Sequence, residues 1–231
     1  MLKIPMFVTA IAALGCLAFQ SCATESHRTM PTEAVASHGT PYSGPKYTLA
    51  VGKFNNASPY MHGIFSEGTD QLGNQAKTIL ETDLSQSGRF TVVNRENMEE
   101  IAKESQISGA QQKLTGAEVV LTGEVTEFGR KVTGDQELFG ILGKAKQQVA
   151  YSKVSINVVD VKTSQIVYSV QGAGEYALSD REIIGFGSTS GYDSTLNGKV
   201  LNLSITDAVN KLVTALENGQ WSPTEGAAKK P

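Results

Sequence analysis

Arg89-Phe-Thr-Val-Val-Asn-Arg-Glu-Asn-Met98 is the stretch on which the fold turns. Phe90 to Val93 is a short apolar run rich in β-branched side chains, preceded by Gly88 and ended by Asn94, and it reads as a strand. Asn94 stands where its side chain can cap a second helix that carries Met98, Ile101 and Ala102 on one face. Upstream, Tyr47 to Phe54 is mostly apolar and is stopped by Asn55 and Asn56, as a buried strand would be. From Asp70 to Ser87 the residues Leu72, Ala76, Ile79, Leu80 and Leu84 recur at helical spacing, and Gly88 stops that helix. Downstream, strands are expected from Glu118 to about Phe128, from Val149 to Val161 and from Gln165 to Leu178, with a turn at Lys162-Thr-Ser164. Ser204 with Asp207 makes a capping-box-like start to a last helix striped by Ile205, Val209, Leu212, Val213 and Leu216. The class is α/β: strand, helix, strand, helix, then antiparallel strands and a C-terminal helix.

The first residues give the destination. Lys3 precedes an apolar run from Ile4 to Phe19 that is too short for a spanning helix and reads as a signal peptide, residues 1–21. Both cysteines of the chain lie here. Cys22 is favoured as the acylated thiol of a lipoprotein signal, because the chain turns polar soon behind it. Cys16 is the alternative, with the better local match in Ala13-Leu14-Gly15. An ordinary secretory signal is the plainer account of the same run. Residues 22–45 carry Thr, Ser, Pro, Gly and His without an apolar period and read as a flexible tether. The domain is expected over 46–219, and 220–231 as a disordered tail apart from Trp221. The expected location is the outer membrane, lipid-anchored, with the domain in the periplasm.

No residue pattern offers chemistry. A formal charge of -3 leaves no basic patch for nucleic acid. Gly172-Ala-Gly-Glu-Tyr-Ala177 resembles a dinucleotide fingerprint, but no helical stripe follows it. Gly187-Ser-Thr-Ser-Gly191 resembles a nucleophile loop, yet His27, His38 and His62 all lie far upstream. Glu96, Glu99, Glu100 and Glu104 read as a solvated helix face. Neither a metal site nor a cofactor is expected, and the chain is read as no enzyme.

Arg89 to Met98, then Leu114-Thr-Gly-Ala-Glu-Val-Val-Leu-Thr-Gly-Glu124, the two strands around Asp160-Val-Lys-Thr-Ser164 and the closing helix occur in the order found in the CsgG curli-secretion channel family. The chain resembles that family from Lys46 to about Leu216. The resemblance implies a lipid-anchored subunit that assembles into a homo-oligomeric ring, each copy giving β-hairpins to one shared transmembrane barrel through which unfolded curli-type or other polypeptides diffuse outward. The hairpins are expected near 129–154 and 166–200. In Ile166 to Ser179 the even positions are apolar or glycine and the odd ones largely polar, as a lipid-facing strand requires, with a polar turn at Ser179-Asp-Arg-Glu182 and a return through Ile183 to Tyr192. The other ascending arm, with Arg130, Lys131, Asp135 and Glu137, does not alternate cleanly.

The resemblance also implies a constriction in the loop after the first strand. Pro59-Tyr-Met-His-Gly-Ile-Phe-Ser66 keeps the family order, so Tyr60 and Phe65 would supply rings and Ile64 stands where the family carries an amide. Repeated around a ring, such side chains make a low-specificity collar for an extended polypeptide, drier here because of Ile64. The competing account is that Phe65 staples the loop to the core. A second function class has the same α/β core as a lipid-anchored periplasmic adaptor that scaffolds or activates a cell-envelope machine. The two part on whether Gly129 to Val154 and Gln171 to Val200 form long hairpins.

Overall fold

The computed structural model describes residues 33–60, 70–136, 144–182 and 195–223. Among these residues the elements are, in order, β1 (Tyr47–Asn56), α1 (Gln71–Gln86), β2 (Phe90–Val93), α2 (Met98–Ile107), β3 (Val119–Gln136), β4 (Lys144–Asp160), β5 (Ile166–Glu182) and α3 (Thr195–Glu217). The strands form one sheet in the order β2-β1-β3-β4-β5. β1 lies parallel to both β2 and β3, with Leu49 opposite Val92 on one side and Val119 on the other. The β3-β4-β5 part is an antiparallel meander.

The α1 stripe of Leu72, Ala76, Leu80 and Leu84 is buried on the sheet, beside the Val200, Leu201, Ile205, Val209 and Leu212 stripe of α3. The two helices touch each other and share one face of the sheet. Period-2 burial follows: Ala150, Ser152, Val154, Ile156, Val158 and Asp160 of β4 are buried, while the residues between them from Tyr151 to Val159 are half-buried or exposed. α1 starts on Asp70, whose carboxylate caps Gly73 N at 2.8 Å, and ends before Gly88 at φ 67°.

Several expectations are corrected. Asn94 does not cap α2. Its Oδ1 accepts from the amides of Glu96 and Asn97, both at 3.0 Å, forming a turn that precedes the helix. No residue of α2 is buried, and Ile101 is 41% exposed, because the helix lies off the core rather than packing an apolar face into it.

α3 begins at Thr195, well before Ser204. Ser204 is fully buried inside the helix, donating back to Leu201 O at 2.9 Å and meeting Ser152 Oγ at 3.0 Å. A hydroxyl satisfied by its own preceding turn is tolerated in a helix interior, so a cap-like pair there is a false start signal. Asp207 instead accepts from Ala173 N, at 3.0 Å.

β5 does not turn at Ser179. It runs to Glu182, pairing Ser179 with Gln147 and Glu182 with Lys144, because β4 extends far enough to give its backbone partners. Ile183 to Tyr192, the expected return, and 187–191 lie outside the described residues, and the expected hairpin span 166–200 runs into α3. The even residues of β5 from Tyr168 to Tyr176 face the protein core, not lipid. Gly172 and Gly174 are the closest approach of the helical layer: a Cβ on Gly172 would collide with Ser204 O, and one on Gly174 would lie 2.8 Å from Ser204 N. The fingerprint-like glycines are therefore a packing seam.

Packed residues are found on both sides of 46–219. Val35 is 2% exposed within the core, and Ala36 N donates to Asn210 Oδ1 at 2.8 Å, so the supposed tether is docked from its Val35 to Thr40 part. One inserted valine leaves no periodic trace, which is why composition hid it. Trp221 is 5% exposed, beyond Gly219, and its ring centroid lies 6.0 Å from Tyr47 and 6.3 Å from Phe90 and from Tyr168.

Candidate functional site

The loop after β1 leaves the sheet at Asn56 and ends at Asp70, the cap of α1, and the described residues on its two stems form one hydrogen-bonded unit. Asn56 N–H donates to Asp70 Oδ2 at 2.6 Å, while Asp70 Oδ1 accepts from Gly73 N. The Asn56 amide nitrogen donates to Tyr60 O at 2.7 Å, and its Oδ1 accepts from Ser58 N at 3.0 Å and Ser58 Oγ at 2.6 Å. Ala57 N donates to Val125 O at 3.0 Å, tying the start of the loop to β3. Ser58 is 1% exposed, so this wound segment is part of the interior. Tyr60 packs its ring on Phe128 of β3, with centroids 4.7 Å apart and planes tilted by 48°.

Of the three side chains expected at a constriction, Tyr60 is therefore at the foot of the loop against the core. Ile64 and Phe65 lie in 61–69, outside the described residues, as do Cys16 and Cys22 in 1–32. In the sequence Asn56 and Asp70 mark only a strand stop and a helix start. Their partnership spans the loop, and the matching signal in the sequence is merely an Asn and an Asp at the two borders.

Past this foot the meander continues. Gly129↔Tyr151, Lys131↔Val149 and Gln136↔Lys144 pair β3 with β4, and Ala150↔Tyr176 and Lys144↔Glu182 pair β4 with β5. The opposite end holds the docked N-terminal segment. Arg89, 5% exposed, donates to Thr40 O at 3.0 Å, Thr40 Oγ1 at 2.8 Å and Ser87 O at 3.1 Å, and pairs with Glu217 at 2.8 Å. Its guanidinium lies 4.8 Å from the Tyr42 ring centroid. Between α1 and α3, Asp83 is 2% exposed and accepts from Thr206 Oγ1 at 2.8 Å. Burial pushes its carboxyl up to about 6, against a smaller lowering by the Thr206 hydrogen bond.

Among the described residues no group of three or more His, Cys, Asp or Glu could hold a metal ion. Among them, too, no helix is long and apolar enough to cross a membrane, which says nothing of strands.

The family model for the curli production assembly/transport component CsgG matches residues 34–230. A candidate lipoprotein of Neisseria meningitidis serogroup B is 57% identical over 213 residues, covering 92% of this chain and 96% of the relative. Among solved structures, a PelC dodecamer from Paraburkholderia phytofirmans is similar at TM-score 0.34 and 16% identity, over 79% of this chain and 95% of that one. A Xanthomonas campestris protein is similar at TM-score 0.41 and 10% identity, over 82% and 96%. Structural likenesses of that strength carry no partner or assembly over to this chain.

Proposed function

Because the chain belongs to the CsgG family of curli production assembly/transport components, we propose that it is an outer-membrane lipoprotein whose copies form a ring and export unfolded polypeptide through a shared β-barrel. The anchor is Cys22, or else Cys16, and the lipoprotein name of the Neisseria relative supports it. Passage is diffusive, and the collar is the segment carrying Ile64 and Phe65, with Tyr60 bracing its foot on Phe128.

The observation that carries this reading is the length of the meander beyond the helical layer. α3 begins within about one turn of Lys199, whose ammonium sits 4.9 Å from the centroid of the Tyr176 ring, yet β5 continues to Glu182. From Arg130, level with Ala150 and Tyr176, to Gln136 the β3 arm rises roughly 20 Å at the usual strand spacing, somewhat short of the roughly 25 Å apolar band that outer-membrane barrels present. Such arms extend past the two-layer core. A barrel calls for them, since backbone groups in hydrocarbon must be paired strand to strand.

Two further features favour assembly. Among the described residues β5 is an edge strand of 17 residues, long enough to template pairing with another chain. The sheet face carrying Thr122, Asn157 and Ser169 is turned away from the helical layer, and α2 is without a buried residue.

The test is extraction of the protein from outer membranes in mild detergent, followed by native electrophoresis, negative-stain imaging and bilayer recording. Rings with a central opening, and a conductance raised by Phe65→Ala, are expected. A monodisperse monomer that turns water-soluble once its anchor is removed would overturn the channel and put the envelope adaptor in its place.

A further inference from the structure

Resting on the lipid-anchor part of that reading, we propose that the docked segment from Val35 to Tyr42 is a releasable strap: it unlatches as a unit from an otherwise folded domain and so sets how far the domain can stand from its anchor. The segment is no part of the sheet. Its own turn supplies its main-chain bonds: His38 N donates to Val35 O at 2.9 Å and Thr40 N to Ser37 O at 3.1 Å, with Gly39 at φ 68°. Such a turn carries those bonds with it when it leaves, so release strips no backbone partner from a strand.

What holds the strap is local. Val35 is its only buried apolar residue, 2% exposed, while Ala36, His38, Gly39 and Thr40 are exposed. Ala36 N donates to Asn210 Oδ1 at 2.8 Å, and Arg89 reaches Thr40 O and Thr40 Oγ1. The underside fits poorly. Ser37 Oγ is buried without a hydrogen-bond partner, a cost borne only by the docked state, since water would satisfy it on release. A cleft of about 230 Å³ runs between Ala36, Ser37 and Thr40 on one wall and Asn210, Val213, Thr214 and Glu217 of α3 on the other. The domain stays whole without the strap. Arg89 keeps Ser87 O and Glu217 when Thr40 departs, and Trp221 keeps its ring contacts with Tyr47, Phe90 and Tyr168. One apolar plug and exposed backbone are the features of segments that open below the global unfolding free energy. Freeing residues 35 to 45 adds up to roughly 35 Å of chain between the anchor and β1.

Hydrogen exchange of the full-length lipidated protein in mild detergent, followed through low denaturant, reads the release. The amides of Ala36, His38 and Thr40 should exchange far faster than those of β1 and β3, and with almost no dependence on denaturant, as a small opening requires. Val35→Ala should speed them about tenfold, the effect of removing two buried methyl groups. Ser37→Ala should slow them several-fold, because it deletes a hydroxyl that only the undocked state can satisfy. Neither variant should change the exchange of β1 and β3. Strap amides that exchange at the rate and with the steep denaturant dependence of β1 would overturn the strap, as would a Val35→Ala protein that fails to fold or loosens everywhere alike. Slower exchange in Ser37→Ala is what separates a docked strap from a merely exposed turn, and unchanged or faster exchange there would also overturn it. Intact mass decides the anchor separately: lipid on neither Cys22 nor Cys16 would overturn the anchor reading and the link role that rests on it.

Discussion

The two ends of the sheet are built on opposite terms. At the end where β1 and β2 begin, Val35, Trp221, Phe90 and Tyr47 fill the space, and Arg89 satisfies the carbonyls of Thr40 and Ser87. That end is finished: apolar rings stack, the buried Arg89 is paired with Glu217, and the segments around Val35 and Trp221 are folded onto it. At the other end the helices stop and β3, β4 and β5 go on, while Asn56 and Asp70 tie the two stems of the loop between them. Stability should therefore be concentrated at the closed end and in the helical layer, and function at the open end. Substitutions ought to separate the two.

The largest effect is expected from Trp221→Ala. Removing a 5% exposed ring that touches Tyr47, Phe90 and Tyr168 should cost about 3–5 kcal/mol, read from the denaturant midpoint of the anchor-free domain. A loss below about 1 kcal/mol would mean that the closed end is not part of the cooperative unit.

Next comes Asp83, in the layer between the ends. Its folded carboxyl titrates near 6 against 3.8 unfolded, so its neutral form is the one the interior accepts. Stability from this group is fully present below about pH 3.8 and is lost as pH rises through about 6, a change of about 3 kcal/mol at most. Asp83→Asn, which can still accept from Thr206, should then be more stable than wild type at pH 7.5 and no better near pH 4. Melting curves across that range check it, and an equal advantage at both pH values would contradict the burial argument.

Gly172→Ala should cost about 1–3 kcal/mol, since its methyl must displace the α3 backbone at Ser204 and Ala208. Hydrogen exchange should show the loosening along α3 and β5 rather than in β2. The smallest effect belongs to Lys77→Ala. Its pair with the exposed Glu96 should be worth no more than about 0.5 kcal/mol, and less in high salt. Asp70→Asn would sharpen the contrast from the other side: a cap-sized loss of about 1 kcal/mol, read from the denaturant midpoint.

Much of the fold was legible because it rests on local period. The α1 stripe, the Gly88 stop, the β2 run and the turn after Asp160 all lie in contiguous sequence, and Gly88 indeed takes φ 67°. What misled were residues with two possible employers. Ser204 looks like a cap, but its hydroxyl is satisfied inside a longer helix. The alternation from Ile166 onward looks like a lipid face, yet an apolar side chain next to α3 and one next to lipid carry the same sequence signal. Ile101 marks an apolar face that a helix can present without any core to receive it.

The sequence by itself determined the α/β class, the order of its elements and the family, because strand and helix periods and turn residues are written within a few positions of one another. The tertiary structure decided which apolar face meets which neighbour, how far β3, β4 and β5 run beyond the helices, that Val35 and Trp221 belong to the core, and that Asn56 and Asp70 share a hydrogen bond. Those are contacts between distant positions. They depend on where the whole sheet brings each residue, which no local pattern records.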